Sequence, residues 1–193
     1  PNLRMYRNSG SPADSDTLGL IKFAGRNDNS QDVVYSTLDS RLVDASDGTE
    51  DGSLELTTIV AGSQVSRVFM GATETVLNDN SVDLDFRVES DNLTHAFFIE
   101  GSTGNIGVGT STPTSYSPYA DNLVVAGASQ TGITIASADS SQSGLYFADG
   151  TSGTAGYVGY IDYNHASDYM AFGTGSGAER LRITGDGDLL LGA

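Results

Sequence analysis

The stretch Val82-Asp83-Leu84-Asp85-Phe86-Arg87-Val88 places an apolar side chain at every second position and a charged one between each pair. Successive side chains on a strand point to opposite faces, so this spacing predicts a β-strand over 82–88 with one dry face and one wet face. The same alternation links Leu3 with Met5, Ile21 with Phe23, Leu54 with Leu56, Ile133 with Ile135, Leu145 with Phe147, and Leu181 with Ile183. No long window carries an apolar stripe at helical spacing free of interior glycine, and a short turn over 36–43 is the best helical candidate. The expected fold class is all-β.

Composition narrows the choice of function. The 193 residues hold 9 Lys+Arg against 25 Asp+Glu, a formal charge of −16. Affinity for a phosphate backbone comes chiefly from cationic side chains displacing counterions, so nucleic acid is not an expected partner. With no Cys, disulfides, thiol nucleophiles and thiolate metal sites are excluded. No apolar run approaches the roughly 18 residues of a membrane-spanning helix, and membrane insertion is not expected. The chain opens at Pro1 without an initiator Met or a basic-then-apolar leader, which reads as a segment of something longer. Leu, Ile, Val and Phe together make up only roughly 23% of the chain, while Gly alone contributes 24 residues. Short strands, many turns and a thin or shared interior are expected.

Internal repetition organises these strands. Phe86, Val88, Ala96, Phe97, Ile99 and Gly101 match Met170, Phe172, Arg180, Leu181, Ile183 and Gly185 at a constant shift of 84. A third copy runs from Leu54 and Leu56 through a Gly/Ser turn to Arg67, Val68 and Met70. Each copy reads as a strand, a Gly/Ser/Asn turn, a second strand, and a Gly that ends it. A larger duplication encloses them: Ile21-Lys22-Phe23 anticipates Leu145-Tyr146-Phe147, and Leu38-Asp39 anticipates Ile161-Asp162. Pro113 and Pro118 lie in a Ser/Thr-rich stretch and cannot both donate to a ladder. The expected organisation is a first β unit over 1–109, a linker over 110–122, and a related second unit over 123–193. Asn105-Ile106-Gly107-Val108-Gly109 aligns with Asp188-Leu189-Leu190-Leu191-Gly192, so continuation past Ala193 is expected.

The phrases RNSGSPADSDTLGLIKFAGRND, DASDGTEDGSLEL, NIGVGTSTP and ERLRITGDGDLLLG are similar to modules of bacteriophage tail fibre proteins, and the resemblance covers most of the chain. It implies β-rich, parallel homotrimeric shafts and knobs on the virion, extracellular, attached to other tail proteins and meeting a host surface glycan or protein receptor. Nothing in the chain matches the self-cleaving chaperone that ends some fibres. The strand pattern supports elongation by itself: repeated thin hairpins cannot close a thick private core but can stack, and sister copies can bury their faces and edges. A tailspike-type enzyme cleaving surface polysaccharide and a bacterial secreted adhesin module are the alternatives.

Candidate sites follow from side-chain chemistry. Asp44, Asp47, Glu50 and Asp51 crowd the loop DASDGTEDG, where closely spaced oxygens could hold Ca²⁺. Gly48 falls one place early for an EF-hand and the twelfth-position acid is missing, so an Asx-rich turn is the alternative reading. Asp186-Gly187-Asp188 reads as a tight turn. With 25 acidic residues no carboxylate pair stands out for glycoside hydrolysis, and His95 and His165 belong to no Ser/His/Asp pattern. No cofactor is implied. GSTGNIGVG lacks the Lys of a phosphate loop and reads as a hairpin turn. The second unit is rich in tyrosine, and Tyr157, Tyr160, Tyr163 and Tyr169 are the candidates for stacking on sugar rings, against packing within the assembly.

Overall fold

A computed structural model describes residues 1–192, which gather into two units, Pro1–Gly127 and the chain from Ala128 onward. Among the described residues the regular elements are β-strands and two short 3₁₀ turns.

The first unit opens with β1 (Thr17–Arg26), β2 (Asp32–Asp44), β3 (Asp51–Val60), β4 (Ser63–Met70) and β5 (Thr75–Leu77), an antiparallel meander in which each strand pairs with the next. Its register lines up Ile21, Leu38, Leu56, Val68 and Leu77 across the five strands. Side chains alternate along each strand, so this apolar row shares a face with Leu54 and Met70, while Asp39, Glu55 and Phe69 fall on the other. Met5 does not enter a strand with Leu3; it lies over Gly19 on the apolar face, where a Cβ would come within 2.5 Å of its sulfur. Residues 36–43 lie inside β2 rather than in a helical turn. Leu38, Ser40 and Leu42 already alternate there with Thr37, Asp39 and Arg41, and ladders on both sides hold the strand extended.

A second sheet follows, of β6 (Phe86–Val88), β7 (Phe97–Ile99), β8 (Ile106–Val108) and β9 (Leu123–Val125). The strand expected over 82–88 is paired only over its last three residues. Upstream, the Asn78 amide binds both Val82 N–H and Val82 C=O, and Asp85 accepts the Gly101 N–H, so side chains take the backbone contacts a ladder would need. β8 and β9 are parallel. A parallel pair cannot be joined by a tight hairpin and needs a crossover of roughly a dozen residues or more. The Pro/Ser/Thr stretch supplies it: Pro113, fully buried, opens the 3₁₀ turn Pro113–Ser115. The segment expected as a linker thus belongs to the first unit, and the division falls after Gly127.

The second unit holds another antiparallel meander, β10 (Gln142–Phe147), β11 (Gly159–Asn164), β12 (Tyr169–Thr174), β13 (Ala178–Thr184) and β14 (Leu189–Leu191). Here the aligned row is Leu145, Ile161, Phe172, Leu181 and Leu191. Pairing Ile21↔Leu38 beside Leu20↔Asp39 has its counterpart in Leu145↔Ile161 beside Gly144↔Asp162. The entry into each meander is clipped alike: Leu42 N–H donates to Asp16 C=O in the first, His165 N–H to Ser141 C=O in the second. Ile133 and Ile135, expected as a strand, precede that clip outside any ladder.

The apolar row of the second meander is poorly covered within the unit. Leu145 and Phe147 are 54% and 58% exposed, and Leu191 is 81% exposed.

Candidate functional site

The opposite face of β10–β14 collects the polar and aromatic groups. β11 contributes Tyr160, Asp162 and Asn164, β12 Tyr169 and Ala171, and β13 Arg182. Gly173 is required by this arrangement, because a Cβ there would run into the Tyr160 ring lying across β12. Tyr146 stands beside Tyr160, ring centres 6.2 Å apart and planes tilted by 42°. At the other end the Arg182 guanidinium lies over Tyr169, 3.8 Å from the ring centre. Its Nε and Nη2 donate to the two oxygens of Glu179 at 2.9 and 2.7 Å, a fork-to-fork contact that fixes the cation in place. Asn164 Nδ2 reaches the Tyr169 hydroxyl at 3.4 Å.

Asp162 sits in the middle, only 8% exposed, and its Oδ1 is buried without a hydrogen-bond donor. Burial pushes its carboxyl above the ordinary 3.8, the Glu179 charge pushes the same way, and Arg182 opposes both. Burial also raises the Tyr160 hydroxyl, with the Asp162 charge adding to it. Asp39 occupies the equivalent node of the first meander and likewise has a buried Oδ1 with no partner. Its other oxygen accepts Arg41 Nε and Nη2 at 2.9 and 2.8 Å.

Of the four tyrosines singled out by sequence, Tyr160 and Tyr169 share this face. Tyr163, one residue out of phase, projects to the apolar side, where its hydroxyl donates to Asp168 and its ring meets the edge of His165. Tyr157 ends the 3₁₀ turn Gly153–Tyr157 and packs on Gly177, whose φ of 79° suits glycine. Tyr146, which alternation already placed on β10, belongs with the first two.

The acidic loop satisfies itself. Asp44 accepts the Ser46 N–H at 2.8 Å and the Thr49 hydroxyl at 3.4 Å, and Glu50 accepts the Gly48 N–H at 3.2 Å. The Ser46 contacts hold the Asp44 carboxyl below its ordinary value. Asp44 and Asp51 face each other across the ends of β2 and β3, and Asp47 is exposed in the loop between. Among the described residues no three His, Asp or Glu side chains converge in a metal-binding group.

One contact had no signature in the sequence: Ser137 Oγ lies 2.9 Å from Ser143 Oγ, which lies 3.1 Å from His165 Nε2. The groups come from the segment before β10, from β10, and from just after β11. Among the described residues no carboxylate bonds the His165 ring, so the chain ties a segment to a sheet without forming a triad. No family model, curated protein or solved structure matches the chain.

Proposed function

We propose that this chain is a non-catalytic structural segment of a bacteriophage tail fibre, assembled as a parallel homotrimer on the virion and contributing to attachment at the host surface. One observation carries the reading: the second meander leaves an apolar row open, with Leu145, Phe147, Leu189 and Leu191 all exposed. Contiguous apolar surface of this kind marks an interaction site, and burial returns about 1.5–3 kcal/mol for each large side chain. On a chain of charge −16 an apolar row is also where like copies approach with least repulsion.

The polar face then points outward. Tyr146, Tyr160 and Tyr169 offer rings for sugar C–H surfaces, with Asn164 and Arg182 alongside for hydroxyls. Weak contacts of this sort add through multivalency in a many-copy fibre. Both Glu179 oxygens are engaged by Arg182 and Asp162 Oδ1 is buried, which supports binding rather than carboxylate-pair hydrolysis.

The test has three arms. Light scattering on the full chain at micromolar concentration is expected to give three times the monomer mass, and a monomer overturns the assembly. Purified chain is expected to compete with phage for host cells, with Tyr160→Ala and Tyr169→Ala competing less well; equal competition removes the sugar face. Release of reducing ends from host polysaccharide would replace the adhesive reading by the enzymatic one.

A further inference from the structure

Residues 82–85 carry strand alternation yet stay out of the ladder, and the segment just before them holds backbone strain. Asn78 and Ser81 lie in the left-handed region, with φ of 62° and 51°, and the Asn78 side chain holds Val82 by both its N–H and its C=O. Diverted in this way, Leu84 and Asp85 line a cavity of about 410 Å³ within the first unit, together with Arg67, Leu77, Phe86 and Ile99. A space of that size suits a small ligand. Left-handed backbone at residues with side chains, and a local break in an otherwise consistent strand pattern, both gather at ligand clamps.

Two polar groups on the cavity wall are anchored through one atom and offer another. Arg67 Nε donates to Thr58 Oγ1 at 2.5 Å, which leaves both Nη groups without a partner among the described residues. Arg7, Arg26, Arg41, Arg87 and Arg182 each pair with a carboxylate, and Arg67 does not. Asp85 Oδ1 accepts the Gly101 N–H at 3.0 Å, and its Oδ2 has no donor among the described residues. Glu100, also on the wall, is taken at both oxygens by Thr103 and Thr114. The cavity therefore presents unclaimed donors on Arg67 and an unclaimed acceptor on Asp85 beside apolar side chains.

We propose that this cavity binds a single neutral sugar residue. An anionic ligand would meet Asp85 and Glu100, and a cationic one would meet Arg67, so net charge of either sign is opposed. Sugar hydroxyls can accept from the Arg67 Nη groups and donate to Asp85 Oδ2, while the C–H face of the ring packs on Phe86 and the aliphatic side chains beside it. Because each polar group is already anchored, little ordering remains to be done on binding. The site belongs to the first unit and shares no residue with the tyrosine face of β10–β14, so it does not rest on the proposal made for that face.

Titration of the nitrogen-15-labelled full chain with methyl glucoside, methyl galactoside and N-acetylglucosamine tests the assignment. At least one of these sugars is expected to move the amide signals of Asn78, Asp85 and Gly101 saturably. Arg67→Met is expected to bind that sugar about tenfold more weakly, the loss of a hydrogen bond from a charged group. Since Arg67→Met also gives up the Thr58 contact, Asp85→Asn is the second variant: its Oδ1 can still accept from Gly101, and weaker binding of the same sugar is expected. Unchanged affinity in either folded variant overturns the assignment. Shifts confined to Tyr160 and Tyr169 overturn the cavity while supporting the second-sheet face, and no shift with any of the three sugars overturns the cavity without touching the assembly. Leucine moving the same amides where the sugars do not would give the cavity to a zwitterion and overturn the sugar.

Discussion

Replacing Asp162 by Asn is expected to stabilise the protein at neutral pH, which is unusual for a change at a buried site. The Asp162 carboxylate is nine-tenths buried, its Oδ1 has no donor, and Arg182 is committed to Glu179 rather than to it. A buried unsatisfied polar group costs about 1–3 kcal/mol, more when charged. The amide keeps the shape and an unpartnered oxygen but sheds the charge, so the lower end applies, a gain of about 1 kcal/mol. In a unit of this size that raises Tm by roughly 4–8 °C. The sign of the pH dependence follows from a folded-state pKa raised above 3.8 by burial, Glu179 adding and Arg182 opposing. The folded state binds the proton more tightly than the unfolded one, so stability at this site is full below 3.8 and is lost as pH rises through the folded value. Thermal melts of parent and Asp162→Asn, followed by circular dichroism at several pH values, should therefore differ most at pH 7 and converge under acid. A variant that melts lower than the parent at pH 7, or a gap that widens on acidification, would refute the reasoning.

Asp39→Asn should do the reverse despite its equivalent position, because it gives up two contacts from Arg41. That cation is half exposed, so a loss of about 0.5–1 kcal/mol in chemical denaturation is expected, and an increase in stability would contradict the pairing. Arg182→Met leaves Glu179 and Asp162 facing each other uncompensated and should lower the urea midpoint, a loss Asp162→Asn should partly recover in the double variant; strict additivity would show that the groups do not interact. Gly101→Ala places a Cβ 2.5 Å from the Leu84 backbone and should cost about 1–3 kcal/mol, measured as a lowered urea midpoint; an unchanged midpoint would mean the turn yields freely.

Alternation located strands at Ile21 and Phe23 and at Leu181 and Ile183. It overreached at 82–85, where Asn78 and Asp85 compete for the backbone, and at Leu3 and Ile133, where apolar pairs sit in straps rather than ladders. In β2 the alternation at Leu38 and Leu42 is diluted by Ser36 and Ser40, and its two partner strands hold it extended. The parallel β8–β9 pair has no local signal, so its crossover resembled a linker. The polar face was half legible. Period two places Tyr160 with Asp162 and sets Tyr163 apart, but Arg182 and Glu179 arrive from a strand two places across the sheet, in a register that no short-range spacing encodes.

The two meanders also differ in what their polar faces carry. Ile21 through Leu77 and Leu145 through Leu191 form matching rows in their two sheets, with an aspartate at the same node of each, so the two frames are alike. In the first, Arg41 lies two residues along the same strand and closes on Asp39 directly; no tyrosine stands beside it. In the second, the arginine has moved across the sheet, pairs with Glu179 and stacks on Tyr169, while Gly173 clears a bed for Tyr160. None of these second-sheet features is needed to hold such a frame, since the first meander forms without them. A glycine, a displaced cation and three tyrosines placed on one face alone are therefore additions to the frame, and they are the groups on which the proposed sugar contact rests.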